Sequence, residues 1–483
     1  AVVSDMRDVI EIEPNNSPAT AMKLAVPSAV NGRIAATVAD QTDDEDFFRF
    51  DAKAGEQWII ETQAAQRGSP IDTKIEVLQG DGKPVPRLQL QAVRNSAVTF
   101  RGIDSTATDV RVDNWEEMEL NQFFYLQGEV AKLFRAPQGP DSGFQFYSLN
   151  GKRRNYFDTS ATAHANEEPC YIVEPHPVGA KLVANGLPVF PLYFANDDDA
   201  ERKLGSDSKI HFTAPADGSY LVRVTDNRGH SGERFVYRLI VRAPKLDFKV
   251  TLDGANPTVP SGSGQSFTLK AERFDDFEGE IKIDITGLPP GFVASTPLVI
   301  EAGHTSAAGT LHAALNAPVP TETNWSKSEV IASAEINGQR VFKNAANFGT
   351  IKLGDQPKLF VALEPSALAS TNLAAAAKPL ELTIAPGQTI PAWIKVRRNG
   401  HDDLVTFSVD NLPHGVIVDN IGLNGVLMPK GENERQIFLA AAKWVPETDR
   451  LCFAIENQAG RQTSLPVMLH VRKAMPAQSA SAK

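Results

Sequence analysis

Cysteine is scarce in this chain of 483 residues, which contains only Cys170 and Cys452. Two cysteines far apart in the sequence exclude a disulfide framework, and no C-x-x-C pair is present that would indicate a metal or haem site. Free cysteine is among the residue types most often found buried. We therefore expect two buried thiols that carry no chemistry.

Long apolar runs and an excess of basic residues are also missing. No run of about 18 apolar residues occurs, so the sequence predicts no membrane-spanning helix. The formal net charge is −11, with both signs interspersed, which argues against a nucleic-acid partner because such proteins carry basic patches. The chain begins at Ala1 without a charged and then apolar leader. Either a signal peptide has been removed or the chain is a fragment of a longer protein.

Helical periodicity is nearly absent, and its best stretch, from Asn114 to Phe124, is short. Instead, short alternating or β-branched runs such as 57–61 and 235–241 are bounded by Gly, Pro, Asn and Asp. Asp-Gly and Asn-Gly turn pairs recur between the runs. This pattern predicts an all-β protein built from β-sandwiches.

The C-terminal half contains an internal repeat. IKIDITGLPPGF at 281–292 corresponds to VTFSVDNLPHGV at 405–416, and the second copy carries an Ala/Ser-rich insertion at 366–377. A repeat of this length is typical of tandem Ig-like domains. The repeat predicts three segments: an Ig-like sandwich at 246–354, a second at 355–473, and a disordered tail at 474–483.

The N-terminal part contains the most distinctive sequence motifs of the chain. EIEPNN at 11–16 is followed by DDEDFFRF at 43–50, and much later by FTAPADGSY at 212–220 and Tyr-Arg-Leu at 237–239. With this spacing, residues 1–245 resemble the bacterial pre-peptidase C-terminal (PPC) domain, a secreted accessory module, in the form found in large secreted proteins of planctomycete-type bacteria. The resemblance implies a PPC-like β-sandwich of the jelly-roll type.

A segment of domain size, residues 88–194, interrupts the resemblance at a point where members of that family continue directly. Five of the seven tyrosines lie within it, and we predict a β-rich insertion. Its aromatic residues either form the insertion's own core or present a binding face. On the second interpretation, Tyr147, Tyr156 and Phe157, with Arg153 in the basic turn between them, contact an acidic glycan or an acidic protein surface.

Acidic and amide residues near the N-terminus suggest a calcium site. Glu11 and Glu13 alternate, so both point to one face of an extended strand, and Ca²⁺ takes six to eight oxygen ligands. Related collagen-binding modules of the PPC family hold calcium at matching positions, which implies these ligands: Glu11, Glu13, Asn15, Asn16, Asp43 and Asp46. Asn16 stands where those modules have Asp, and one charge fewer should weaken binding. The alternative is a turn followed by a solvated acidic loop.

A second acidic run, Asn-Asp-Asp-Asp at 196–199, is either a solvated loop or a further metal contributor. No catalytic motif accompanies these clusters. The nine histidines form no H-E-x-x-H motif, and the sequence around Gly229 lacks the G-x-S-x-G spacing.

The sequence therefore predicts a secreted, non-catalytic binding or accessory protein of the cell surface or periplasm, with calcium as the expected cofactor. Its partner would be a glycan or a surface protein. One alternative is a structural subunit or spacer of a surface assembly, in which copies of the chain associate with each other. A second alternative is the non-catalytic part of a secreted peptidase or other hydrolase.

Overall fold

Strands dominate the computed structural model of the protein, which describes residues 6–35, 44–137, 142–366, 379–419, 421, 425–458 and 460–473. Helix in these residues is confined to α1 (Glu322–Trp325) and two 3-10 turns, Ala65–Arg67 and Trp115–Glu117. The predicted all-β fold class is confirmed. In the stretch with the best helical periodicity, 114–124, only the 3-10 turn Trp115–Glu117 forms before a strand begins at Phe123. None of the described helices is long and apolar enough to cross a membrane.

Three predictions fall on residues outside these ranges: the ligand role of Asp43, most of the Ala/Ser-rich insertion, and the disordered tail. Cys170 and Cys452 are both free and buried, which confirms the expected burial of the two thiols. The chain divides into two compact units, Ala1–Lys245 and Leu246–Lys483.

The first unit consists of a β-sandwich and a separate sheet formed by the insertion. Its strands, in chain order, are β1 (Arg7–Ile10), β2 (Met22–Lys23), β3 (Ser28–Arg33), β4 (Asp46–Ala52), β5 (Gln57–Gln63), β6 (Thr73–Gln79), β7 (Pro86–Ala97), β8 (Asp109–Val110), β9 (Phe123–Leu126), β10 (Glu129–Arg135), β11 (Phe144–Phe146), β12 (Ser148–Leu149), β13 (Lys152–Arg153), β14 (Pro169–His176), β15 (Val189–Tyr193), β16 (Ala195–Asn196), β17 (Lys209–Thr213), β18 (Gly218–Asp226) and β19 (Val236–Arg242).

Two five-stranded sheets form the sandwich, in the orders β1-β3-β19-β5-β17 and β16-β6-β18-β4-β2. Alternate residues of each strand point inward, as the period of two requires, and they meet in one core that includes Phe48, Phe50, Phe212 and Leu239. The insertion has its own seven-stranded sheet, β15-β7-β14-β9-β10-β11-β8, with an aromatic core around Phe124, Phe144 and Phe146.

The second unit contains two β-sandwiches. Its strands, in chain order, are β20 (Asp247–Asp253), β21 (Thr258–Pro260), β22 (Gly264–Phe274), β23 (Ile281–Thr286), β24 (Phe292–Ala294), β25 (Leu298–Ile300), β26 (Ser306–Ala313), β27 (Glu329–Ile336), β28 (Gln339–Ala346), β29 (Lys352–Gly354), β30 (Leu359–Glu364), β31 (Glu381–Ile384), β32 (Thr389–Arg398), β33 (Val405–Asp410), β34 (Val416–Asp419), β35 (Val426–Met428), β36 (Glu434–Ala441), β37 (Thr448–Glu456), β38 (Gln462–Thr463) and β39 (Val467–Val471).

Each of the two sandwiches has its own core, one around Phe248 and Ile283 and one around Phe407 and Leu439. They nevertheless share a sheet. The short strand β38 pairs with β37 of the second sandwich and with β22 of the first, so one ten-stranded sheet runs through both.

Candidate metal centre

Three carboxylates from distant parts of the sequence meet at one end of the N-terminal sandwich. Glu11 follows β1, and its backbone N–H donates a hydrogen bond of 3.0 Å to the carbonyl of Asn31 on β3. Asp46 is the first residue of β4. One ligand atom from each of Glu11, Glu13 and Asp46 lies within 4.8 Å of the others, and no other such group of three occurs in the described residues. The structure thus brings together three of the predicted ligands.

Asp46 has no exposed surface. Its Oδ2 accepts a hydrogen bond of 2.5 Å from the Tyr237 hydroxyl, whereas its Oδ1 is buried without any hydrogen-bond partner among the described residues. Burial, followed by the nearby charge of Glu11, raises the pKa of Asp46 to about 9. A buried carboxylate is costly unless it is paired with a counter-charge, so this site favours a cation.

Asn15 supplies a second buried oxygen without a partner. The residue has no exposed surface. Its Nδ2 donates to Glu11 Oε1 at 2.9 Å, and its backbone N–H donates to Glu13 Oε2 at 3.0 Å. Its Oδ1 accepts no hydrogen bond in the described part of the chain. Carboxylate and amide oxygens are the ligands that Ca²⁺ prefers, so the donor set fits this ion.

Asn16 and Asp44 surround the cluster. Asn16 Nδ2 donates to Asp44 Oδ1 at 2.8 Å, and Asn16 Oδ1 accepts from the backbone N–H of Asn15 at 3.1 Å. The sequence predicted Asn16 as a ligand; the structure shows its amide linking Asn15 to Asp44. Burial raises the pKa of Asp44, and the neighbouring Glu11 adds to the effect.

Asp44 and Tyr237 are two members of the site that the sequence did not predict. Asp44 belongs to the acidic run at 43–46, but the sequence alone does not distinguish its oxygens from those of its neighbours. Tyr237 lies on β19, and its side chain is 3% exposed. Its inward position follows from the alternation along β19, with Leu239 and Val241 also in the core.

The second acidic run, at 196–199, is not a solvated loop. Asp199 is 2% exposed and accepts hydrogen bonds from the backbone N–H groups of Glu201, Lys203 and Leu204. Asn196 is also buried, and its Nδ2 donates to the carbonyl of Lys209 at 3.0 Å. Both side chains hold a turn in place, so the interpretation as a solvated loop is wrong.

The predicted ligand contacts in the insertion need correction at two positions. Arg153 has no exposed surface; its guanidinium pairs with Glu129 and donates to the carbonyls of Ala107 and Thr162 at 2.6 and 3.0 Å. Tyr147 is 8% exposed, and its hydroxyl donates to Asn121 Oδ1 at 2.7 Å. Neither side chain is available to a ligand, because both are buried and both are hydrogen-bonded to other residues of the insertion.

Tyr156 and Phe157 are half-buried. Their rings pack on Phe123 with centroid distances of 5.6 and 4.8 Å. They therefore help to form the insertion's second hydrophobic cluster, and a contact with a ligand at these two residues stays a prediction.

Glu129 also anchors a buried polar network in the insertion. Its Oε2 is 2.9 Å from His164 Nε2, and His164 Nδ1 is 2.7 Å from Glu168 Oε1. Burial alone would raise the pKa of Glu129, but hydrogen bonds from His164 and Arg153 outweigh it and lower the pKa to about 2. Burial would lower the pKa of His164, yet the two glutamates raise it. The network is therefore an internal ion-pair system.

Comparison with known proteins gives no family. No family model matches the chain, and no curated protein matches it significantly. Solved structures that resemble part of it include a protein of unknown function from Porphyromonas gingivalis W83 (12% identity, 47% of this chain and 99% of that one, TM-score 0.17). The D0-D1 domain of intimin is 15% identical over 46% of this chain and 97% of that one, with a TM-score of 0.17. The fibronectin(III)-like modules of Clostridium thermocellum CbhA are 13% identical over 48% of this chain and 98% of that one, with a TM-score of 0.14. At these TM-scores the likenesses carry no argument about function.

Proposed function

We propose that the protein is a non-catalytic binding or accessory protein, acting at the cell surface or in the periplasm, whose N-terminal sandwich binds Ca²⁺. The observation that carries this proposal is the fully buried Asp46 carboxylate, which has one oxygen without a partner and lies beside Glu11 and Glu13. The ion would be held by Glu11, Glu13, Asp46 and the Oδ1 of Asn15.

Calcium at this position would act as a clamp between strands. Glu11 and Glu13 belong to the segment after β1, which is an edge strand, whereas Asp46 begins the inner strand β4. An ion shared by these residues joins the N-terminal segment to both sheets, because Glu11 also contacts Tyr237 of β19 at 3.1 Å. The expected role is to rigidify one end of the sandwich, so that a binding surface there keeps a fixed shape.

The proposal is tested by thermal unfolding of the full chain in calcium and in chelator. A ligand that binds only the folded state stabilises it by about 2.7 kcal/mol at 100 times its Kd, so calcium should raise the melting temperature by several degrees. Asp46→Asn keeps the size of the side chain but removes the charge, and it should abolish the shift.

Asp51→Asn is the matched control. Asp51 lies on the same strand, β4, with an exposed side chain, and the substitution removes the same charge. It should leave the calcium shift intact. Identical melting of the unmodified protein in calcium and in chelator would sink the proposal.

A second candidate function, a rigid structural spacer, is favoured by the sheet that the two C-terminal sandwiches share. Gly264 of β22 pairs with Thr463 of β38, and Arg450 of β37 contacts Glu301 at 3.2 Å. A tandem joined in this way resists bending better than one joined by a linker alone. Self-association of the purified chain in sedimentation experiments, without binding of any other partner, would favour the spacer.

A further inference from the structure

A cleft of about 540 Å³ opens beside the candidate calcium site. Glu11, Glu13 and Tyr237 form part of its wall. The Tyr237 hydroxyl contacts both the buried Asp46 carboxylate, at 2.5 Å, and Glu11 Oε1, at 3.1 Å. An ion held between Asp46 and the two glutamates therefore lies at the wall of the cleft. Ca²⁺ takes six to eight oxygens. Within the described part of the chain four residues offer oxygens to the ion, so a ligand entering from the cleft can fill a further position.

Two exposed arginines line the same cleft. The Arg33 guanidinium, exposed at the cleft, makes no hydrogen bond with the part of the chain that the structure describes. Arg67 uses one donor on Gln63 Oε1. Guanidinium groups with unused donors recognise carboxylates through charge-assisted hydrogen bonds.

The charges of the cleft become balanced once a divalent ion is present. The ion together with Arg33 and Arg67 supplies four positive charges, which match four carboxylates: those of Glu11 and Glu13 in the cleft wall and those of Asp44 and Asp46 behind it. Arg238 also lines the cleft, but it is already paired with Asp8 at 2.8 Å. An incoming carboxylate then meets no net repulsion. Without the ion, the same carboxylate would approach an excess of negative charge.

Aliphatic side chains, not aromatic rings, accompany these charges. Ile10 is 79% exposed and Val236 is 48% exposed, both at the cleft, whereas the Tyr237 ring is buried beneath it. Stacking on sugar rings needs an exposed aromatic face, which the lining residues do not provide. Aliphatic contacts beside arginines suit an acidic peptide better than a glycan.

We propose that this cleft binds an acidic peptide segment of a partner protein, with one of its carboxylates completing the coordination of the calcium ion and a second contacting Arg33 or Arg67. The inference rests on the calcium site of the proposed function and adds to it the class of ligand and the residues that select it.

The test uses the full chain and a short fluorescein-labelled peptide of alternating glutamate and alanine, followed by fluorescence anisotropy. A peptide of alternating glutamine and alanine is the control ligand. Because the peptide loses its coordination to the ion and meets an excess of negative charge, chelator should weaken binding of the glutamate peptide by about tenfold or more. The double variant Arg33→Gln, Arg67→Gln should weaken it to a similar extent in calcium.

Two controls separate the binding of peptide from the binding of metal. The double arginine variant should keep the calcium-dependent rise in melting temperature, because neither guanidinium is a ligand of the ion. Arg101→Gln removes the same charge at a side chain that is 71% exposed in the insertion, and it should leave peptide affinity unchanged.

The outcomes distinguish the two proposals. Calcium that stabilises the chain while the glutamate peptide fails to bind, or binds equally well in chelator, overturns the inference and leaves the calcium site standing. Equal binding of the glutamine peptide also overturns it. The absence of any calcium effect on melting overturns the proposed function itself.

Discussion

The hydroxyl of Tyr237 donates a hydrogen bond of 2.5 Å to Asp46, across 191 residues of sequence. Burial, and then the negative charge of Asp46, raise the pKa of Tyr237 well above its ordinary value, so the phenol stays protonated and remains a donor. β19, the last strand of the sandwich in the sequence, thus holds the Asp46 carboxylate of β4 in place. The candidate calcium site therefore depends on the complete sandwich.

Gly32 makes this arrangement possible, and its replacement is the first prediction. A Cβ at Gly32 would lie 2.5 Å from the Tyr237 hydroxyl and 3.0 Å from Glu11 Oε1. Gly32→Ala should therefore displace both groups, destabilise the protein by about 1–3 kcal/mol and reduce the calcium-dependent rise in melting temperature. Denaturant unfolding with and without calcium measures both effects.

Gly218→Ala is the control for this substitution. Gly218 also lies in a strand of the same sandwich, and a Cβ there would meet no atom within 4 Å. Its replacement should be neutral or slightly stabilising, because alanine costs less backbone entropy than glycine in a strand. Equal calcium responses of Gly32→Ala and the unmodified protein would contradict the assigned role of Gly32.

The buried ion pair of the insertion gives the second prediction. Arg153 and Glu129 are both inaccessible to solvent, so Arg153→Met leaves the Glu129 carboxylate buried without the guanidinium that pairs with it. The expected loss of stability is about 3–5 kcal/mol, read from denaturant unfolding. The double variant Glu129→Gln, Arg153→Met should recover part of this loss. A double variant no more stable than the single one would show that packing, and not charge, dominates at this position.

The same network predicts a pH optimum for stability. Because the pKa of His164 is raised in the folded protein, its contribution to stability is complete below its pKa of 6.5 in the unfolded chain. This contribution is lost as pH rises through the folded pKa. Because the pKa of Glu129 is lowered to about 2, its contribution to stability is complete above its ordinary pKa of 4.5. This contribution is lost as pH falls toward about 2. The network should therefore stabilise most between about pH 4.5 and 6.5.

His164→Gln is the variant that checks this pH dependence. Its unfolding free energy should fall below that of the unmodified protein by more at pH 5.5 than at pH 8.5, because protonated His164 interacts with Glu129 and Glu168 only in the acidic range. A difference between the two proteins that stays constant with pH would contradict the assignment.

The sequence predicted the architecture better than the side-chain environments. Alternation along runs such as 235–241 indicates which residues point inward, and the cluster of Glu11, Glu13 and Asp46 was predicted from alternation and family resemblance. The partner of Asp46 could not be predicted, because the contact with Tyr237 depends on the register of β19 against β3, which local patterns do not determine.

Arg153 shows why the insertion was harder to predict. A basic turn beside tyrosines has the composition of a binding face, and the same composition serves an internal ion pair. The acid that decides between them, Glu129, lies 24 residues earlier on another strand. Only the pairing of β10 with its neighbours brings the two together, so charge patterning in the sequence could not reveal the burial.

The joint between the two C-terminal sandwiches gives the last prediction. A Cβ at Gly264 would lie 2.1 Å from Thr463 Oγ1 and 2.6 Å from Thr310 Oγ1, and these two buried hydroxyls are hydrogen-bonded across the joint. Residues 246–473 should unfold in one calorimetric transition, because the shared sheet couples the two cores. Gly264→Ala should separate this into two transitions.

Gly309→Ala is the control for this substitution. It crowds Phe267 inside the first sandwich only, so it should lower the temperature of the single transition without splitting it. Two transitions in the unmodified segment would show that the sandwiches unfold independently, and the shared sheet would then give no support to a rigid spacer.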